Sequence, residues 1–392
     1  MRIQKGFGLL VLLSLFVAVA AAVPATKGKA KTTVKSKSAA PATAAKKTVA
    51  AAPKRATPRR RPRRVYSPWS EPTFADSTAG DDIGGEDLTV RRAAVQALGP
   101  YNGSVVAVDP LTGRVLTMVN QKVALQSGFQ PCSTVKLPVA MAGLIEGVIE
   151  RDTLVRVQGA TRLTLTEALA RSNNPFFAML GTKLGFARFS YYARLLGLGE
   201  KAGLDIEGER PGAFPRTPPP GTPVGLMTSF GSGIALTPLQ LAAMLSAFSN
   251  GGTLYYLQYP RSLEEIRDFL PKVKRRLAIG QWVADIKPGM MGAVEYGTAR
   301  RANYDASEPV FGKTGTCTDN RTHLGWFGSF NLVGRNRLVV VVLLTGGTGV
   351  SGPAAAQIAG NMYKRLSQES FFTGARDLGP TELASLQSCC AQ

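Results

Sequence analysis

Ser133 and Lys136 stand three residues apart, and residues at that spacing share one face of a helix. If Ser133 opens a helix, the Lys136 amine comes to rest beside the Ser133 hydroxyl, where it can take the hydroxyl proton. A lysine base must first be neutral. Burial and a second cation both favour the neutral amine, and Lys313, which heads the run Lys313-Thr314-Gly315-Thr316, is that second cation. Between the two lies Ser172-Asn173-Asn174. There the Ser172 hydroxyl and the Asn174 amide can hold the Lys136 amine and relay a proton. Helix starts leave backbone N–H groups unpaired, so the N–H of Ser133 and that of Thr316 form a candidate oxyanion hole. Lys313, Thr314 and Thr316 then face a substrate carboxylate, with Gly315 between the two threonines as part of the same binding strand.

A lone SxxK arises by chance roughly once or twice in a chain of this length, with a solvated helix start as its plain explanation. KTG is rarer. The ordered set SxxK, SxN and KTGT is the specific signal. The 392-residue chain holds a single histidine, His323, so a Ser-His-Asp triad or a multi-histidine metal site would rest on one residue. Lysine-based serine chemistry needs neither, and calls for no metal or cofactor.

These groups need elements to position them. Residues 88–98 have helical spacing and end at Gly99-Pro100. Residues 103–109 and 114–119 flank the turn Asp109-Pro110-Leu111-Thr112-Gly113 as a β-hairpin. Helical stretches follow at 133–149, 165–171, 175–184, 189–196 and 238–249, then strands at 309–316, 324–330 and 338–344, and a small-residue helix at 353–366. Strands at both ends with helices between them predict one α/β (α+β) unit whose sheet is assembled from distant segments around an inserted helical subdomain.

The charge divides the chain further. The formal net charge is +21, yet residues 27–64 hold 14 Lys/Arg and no acid, which leaves residues 65–392 near +5. Residues 24–86 read as a disordered basic Ala/Pro/Lys/Arg-rich linker. Ahead of it, residues 1–23 carry Arg2 and Lys5 before an unbroken apolar run, the pattern of an export signal peptide or a membrane anchor. Export removes nucleic acid as a partner for the basic linker and puts anionic lipid or wall polymer in its place. The globular domain is expected over 87–367, with a C-terminal tail over 368–392.

With these motifs in order, the chain resembles the transpeptidase domain of penicillin-binding proteins, class B-like acyl-serine enzymes that share a fold with serine β-lactamases. Ser104-Val105-Val106-Ala107-Val108-Asp109-Pro110, Ser229-Phe230-Gly231-Ser232-Gly233, Asn250-Gly251-Gly252 and Gly297-Thr298-Ala299 extend the likeness over residues 87–367. The resemblance implies a central antiparallel sheet flanked by helices. It also implies that Ser133 attacks a D-Ala-D-Ala peptidoglycan stem peptide, releases D-Ala and passes the acyl group to an amine, with β-lactams as inhibitors at Ser133. A D,D-carboxypeptidase, a β-lactamase or a non-catalytic penicillin-binding scaffold of the same fold is the alternative. The implied location is the cell envelope, in the periplasm or on the periplasmic face of the inner membrane.

Departures from the family pattern matter too. Residues 65–86 are too few for a class B pedestal or a class A glycosyltransferase, so the expectation is peptide cross-linking without glycan polymerisation. No glutamate stands out as a deacylation base: Glu167 reads as a surface or packing residue, and Glu207 and Glu209 resemble a structural turn. Cys132 precedes Ser133, and Cys317 lies four residues after Lys313. Some class A carbapenem-hydrolysing β-lactamases bridge cysteines at the same relative positions. The resemblance therefore implies a Cys132–Cys317 disulfide, with two small buried thiols as the alternative.

Overall fold

The computed structural model describes residues 69–126 and 128–373. Helix α1 (Leu88–Leu98) starts where the Asp87 carboxylate accepts the N–H groups of Thr89 and Val90 at 3.0 and 3.1 Å, satisfying donors that a helix start leaves open. Strands β1 (Gly103–Val108) and β2 (Val115–Val119) form the antiparallel hairpin, and a short helix α2 (Gln121–Ala124) follows. A 3-10 turn over Cys132–Val135 then feeds α3 (Lys136–Ile145).

The middle of the chain is helical, with two small hairpins. Strands β3 (Val155–Gln158) and β4 (Thr161–Leu163) pair with each other ahead of α4 (Leu165–Ala170) and α5 (Asn174–Leu195). Helices α6 (Val224–Phe230) and α7 (Pro238–Ser249) come next. Strands β5 (Thr253–Tyr255) and β6 (Val273–Arg276) bracket α8 (Leu263–Arg267), and α9 (Gly280–Glu295) closes the lobe. Last come β7 (Val310–Asp319), β8 (Thr322–Asn331), β9 (Val339–Gly346) and α10 (Gly352–Gln368).

The main sheet has the order β2-β1-β9-β8-β7, antiparallel throughout. Val105 pairs with Val342, so the first strand meets the last and the sheet closes the two ends of the domain together. One face, through Val106, Trp326, Val341 and Leu343, packs on the helical lobe. The other, through Val105, Ala107, Val340 and Val342, packs on α1 and α10. Burial on both faces explains why β9 is an unbroken apolar run rather than an alternating one. β7 is the sheet's edge, which leaves one side of the KTGT strand unpaired.

Several expectations need correction. Residues 69–86 are not the end of a linker: they pack on the domain. The Trp69 and His323 rings lie 4.1 Å apart at a tilt of 40°, and Asn102 N–H donates to Thr73 O at 2.9 Å. Buried Glu86 accepts from Thr117 Oγ1, Met118 N–H and Tyr259 Oη. Low complexity ends before residue 69, and these few aromatic and acidic groups suffice to dock a segment of turns and bends. At the other end the fold extends past 367, because buried Phe372 packs against Tyr363. The helix expected over 133–149 is a 3-10 turn followed by α3. The two helices expected at 175–184 and 189–196 are both present, as the two helical stretches of α5 on either side of non-helical Gly185, where φ is 73°. Helix α9 was not anticipated: Pro288 and two glycines weaken its intrinsic propensity, and packing against α4 holds it. Residues 1–23, most of the basic linker and the last nineteen residues lie outside the described residues. Among the described residues no helix is long and apolar enough to cross a membrane.

Candidate active site

The turn that carries Ser133 is tightly held. Cys132 takes a left-handed backbone, φ 50°, an uncommon conformation for a residue with a side chain, and it turns the chain sharply into the 3-10 turn that carries Ser133. Pro131 O accepts the Thr134 N–H at 3.1 Å and the Thr134 hydroxyl at 2.7 Å. The indole N–H of Trp326 donates to Gln130 O at 3.0 Å, tying the turn to β8.

Lys136, fully buried at the start of α3, lies with Nζ 3.1 Å from Ser133 Oγ. It also reaches Asn174 Oδ1 at 2.6 Å, Ser172 O at 2.7 Å and Ser172 Oγ at 3.1 Å. A neutral amine has two donors and one lone pair. The two shortest contacts are to oxygens that can only accept, so they take the donors, and the lone pair is left toward the hydroxyls. Burial pulls Lys136 down to about 7, which makes the neutral amine accessible near neutrality. The Phe177 ring, 5.5 Å away, forms part of that apolar wall.

Ser172 and Asn174 sit at the junction of α4 and α5. Asn173 caps α5 by accepting the Phe176 N–H at 2.8 Å, and Pro175 occupies the first turn, so the sequence Ser-Asn-Asn-Pro is a helix-start pattern that fixes both flanking side chains. Ser172 is itself left-handed, φ 55°. Its hydroxyl accepts from Lys313 Nζ at 2.8 Å, so a single oxygen lies between the two lysines. Lys313 is fully buried, and burial followed by the Lys136 charge pushes it well below its ordinary value. The charge effect expected at Lys136 is thus seen at its partner, while Lys136 owes its shift to burial.

Strand β7 lies against the nucleophile turn. A Cβ on Gly315 would stand 3.0 Å from Pro131 O and 3.3 Å from Cys132 Cβ, closer than side chains normally approach, so glycine permits this contact. Cys132 and Cys317 form a disulfide with their Cα atoms 5.6 Å apart. It pins the residues around Ser133 to those around Thr316. The threonine hydroxyls are engaged differently from a bare carboxylate site. Thr314 Oγ1 lies 2.6 Å from Thr298 Oγ1, and Thr316 Oγ1 accepts the Gly352 N–H of α10 at 2.8 Å. Thr316 is nonetheless exposed.

Residues 103–364 match the penicillin binding protein transpeptidase domain family. The chain belongs to this family. Among curated proteins, Stage V sporulation protein D of Bacillus subtilis is 28% identical over 310 residues, covering 68% of this chain and 48% of that protein. Peptidoglycan D,D-transpeptidase FtsI of Escherichia coli is 31% identical over 182 residues, 38% of this chain and 31% of that protein. The chain therefore spans about half or less of the length of these relatives. The solved transpeptidase domain of Burkholderia pseudomallei penicillin-binding protein 3 superposes with a TM-score of 0.63 at 18% identity, covering 76% of this chain and 97% of that one. Pseudomonas aeruginosa PBP2 gives 0.62 at 22%, covering 75% and 77%. At these identities the likeness is one of fold.

In this penicillin-binding protein domain the remaining tempting residues fall away from the cleft. Glu167 ion-pairs with Arg171 at 2.8 Å on the surface of α4. Glu209 accepts the N–H groups of Ala202 and Gly203, a buried loop anchor, while Glu207 is exposed. His323 bonds Thr318 on the sheet face opposite Cys317. Sequence reasoning treated Gly297-Thr298-Ala299 as a landmark only, and missed that Thr298 holds Thr314. It also missed Trp326, which secures Gln130 from across the sheet. Neither has a signal in spacing, since both act through contacts between distant segments.

Proposed function

We propose that the protein is a serine-type D,D-transpeptidase that cross-links peptidoglycan stem peptides through an acyl-enzyme on Ser133. The observation that carries this reading is the placement of Lys136 Nζ 3.1 Å from Ser133 Oγ, in a site that lowers the amine to about 7. The neutral amine takes the Ser133 proton as Oγ attacks the carbonyl carbon of the penultimate D-Ala. The oxyanion is met by the N–H groups of Ser133 and Thr316, whose neighbours Cys132 and Cys317 are bridged. The terminal carboxylate favours the charged form of Lys313 and lies along Lys313, Thr314, Gly315 and Thr316. As the tetrahedral species collapses, the C–N bond breaks and the proton passes from Lys136, by way of the Ser172 hydroxyl, to the departing D-Ala amine. An acceptor amine then attacks the ester, its proton returns to Ser133, and the new amide leaves.

Transfer to an amine is favoured over hydrolysis because Glu167, the carboxylate that precedes SxN in the sequence, is paired with Arg171. Fluorescent penicillin should label the wild type and not Ser133→Ala; a wild type that never labels removes the enzyme reading. Mass analysis of products from a D-Ala-D-Ala peptide, with and without an amine, separates transpeptidation from carboxypeptidation. We infer that the basic segment 27–64 tethers the exported protein to anionic lipid or wall polymer of the cell envelope. Deleting it should weaken envelope retention in a salt-dependent way.

A further inference from the structure

The turn between β7 and β8 is held from outside the sheet. Asn320 and Arg321 form it, both left-handed with φ 45° and 57°, the conformation that a two-residue hairpin turn asks of both central positions. Asparagine adopts it readily, whereas arginine resists it. Ser70 holds both residues: its N–H donates to Arg321 O at 3.0 Å and its hydroxyl to Asn320 O at 2.6 Å, and its Oγ lies 3.3 Å from Thr322 Oγ1. Beside it the Trp69 indole lies against His323 of β8, whose Nδ1 is 2.7 Å from Thr318 Oγ1 of β7. Gly347, just past β9, leaves room for the same indole, since a Cβ there would stand 2.7 Å from Trp69 Cγ. Thr73 Oγ1 accepts the Gly347 N–H at 3.1 Å. Residues 69–73 thus form a strap across the ends of β7, β8 and β9, and they lie ahead of the residues 103–364 that match the family.

The strap bears on the site because β7 is an edge strand. With β8 as its sheet partner on one side alone, it can bend out of the plane of the sheet. Thr316 lies about 13 Å of strand before Asn320. The Cys132–Cys317 bridge ties β7 to the turn that carries Ser133 at one point, next to Thr316. One tie leaves the strand a pivot, and a second tie beyond it, at the β7–β8 turn, removes that freedom. We propose that Trp69 and Ser70 are positioning residues for acylation: they clamp the β7–β8 turn and so keep the Thr316 N–H aligned with Ser133, a role that rests on the transpeptidase reading of these two residues. They act through the turn. The Thr316 N–H works hardest when the oxyanion forms, so the clamp governs the acylation step rather than the binding that precedes it.

The test uses the full chain and a fluorescent penicillin in stopped flow, which separates the acylation rate constant from the dissociation constant of the complex before it. Ser70→Ala removes one exposed hydroxyl and should slow acylation about threefold, and Trp69→Ala together with Ser70→Ala about tenfold, with the preceding dissociation constant unchanged. Ser70→Thr with Trp69→Phe, which keeps a hydroxyl and a ring, should restore the wild-type rate. With Cys132→Ala and Cys317→Ala already in place, the two alanines at 69 and 70 should cost well over tenfold, because both ties are then gone. Urea unfolding of each variant is measured alongside. Acylation at the wild-type rate in the chain with both alanines, a loss confined to the preceding dissociation constant, or a loss accounted for entirely by unfolded protein overturns the proposal. A wild type that never labels removes the enzyme reading and the positioning role with it, whereas a labelled wild type matched by the variants removes the positioning role alone.

Discussion

Lys136 Nζ lies 2.6 Å from Asn174 Oδ1, the shortest of its polar contacts, and this amide fixes which way the amine's lone pair points. The relationship joins the first turn of α3 to the first turn of α5, two helices separated by 38 positions of sequence. Both halves are needed for a base that is neutral and aimed.

Removing the base should stop acylation without unfolding the domain. Lys136→Ala is expected to lower the rate of penicillin acylation by about 10²–10⁴, the usual range for a positioned acid or base. Asn174→Ala, which leaves the base but frees its orientation, should fall short of that loss. Stopped-flow labelling with a fluorescent penicillin, alongside circular dichroism to verify folding, reads both. Acylation by Lys136→Ala at the wild-type rate would exclude it as the base.

Lys136, lowered to about 7, sets a pH profile. Acylation should rise through about pH 7 as the amine loses its proton and level off above, until other groups titrate. The stability effect has the same sign. Between the lowered folded value and the ordinary 10.5 the unfolded chain binds more protons than the folded one, so this group makes stability rise with pH across that window. Lys136→Met should flatten both curves. A rate profile with no inflection near pH 7 would exclude Lys136 as the titrating base.

The bridge between Cys132 and Cys317 closes a loop of 185 residues. Replacing both cysteines with alanine should lower unfolding stability by about 2–4 kcal/mol, measured in urea. Acylation should slow as well, because the two backbone donors lose their tie. Full activity with reduced stability would confine the bridge to a structural role.

Thr298→Val breaks the contact with Thr314 while nearly preserving shape. A hydrogen bond of this kind contributes about 0.5–1.5 kcal/mol, so acylation should fall about threefold to tenfold. A loss confined to peptide substrates, with penicillin unaffected, would place the effect on the acceptor or leaving group instead.

The segment 69–86 should be indispensable for stability. Glu86 is buried with Arg91 at 3.3 Å, and leaving one partner of such a pair unmatched costs about 3–5 kcal/mol. A chain beginning at residue 87 should therefore melt well below the full chain in calorimetry, and Glu86→Ala should show much of the same loss. Identical melting would return these residues to the linker.

Much of the site was legible in the sequence because its chemistry is local. SxxK spacing on one helical face, a Ser-Asn-Asn-Pro helix start and Gly315 within the KTGT strand are each readable within a few residues. Helix α1 and helix α7 were legible to the residue for the same reason: Asp87 and the Thr237–Gln240 capping box mark starts, and apolar periodicity marks the bodies. The strands of the main sheet were legible as apolar runs, though their order was not.

What the tertiary structure alone decided is everything that joins distant segments. Helix α9 forms against its own propensity because α4 packs on it, and residues 69–86 are ordered because β2 offers a partner for Glu86 and Gly347, just past β9, one for Thr73. The left-handed turns at Cys132 and Ser172 are held by contacts on both sides rather than by local preference. The lowered value of Lys136 is the clearest case. Sequence places an amine beside a hydroxyl, but only burial by the assembled fold removes the water that would keep it charged.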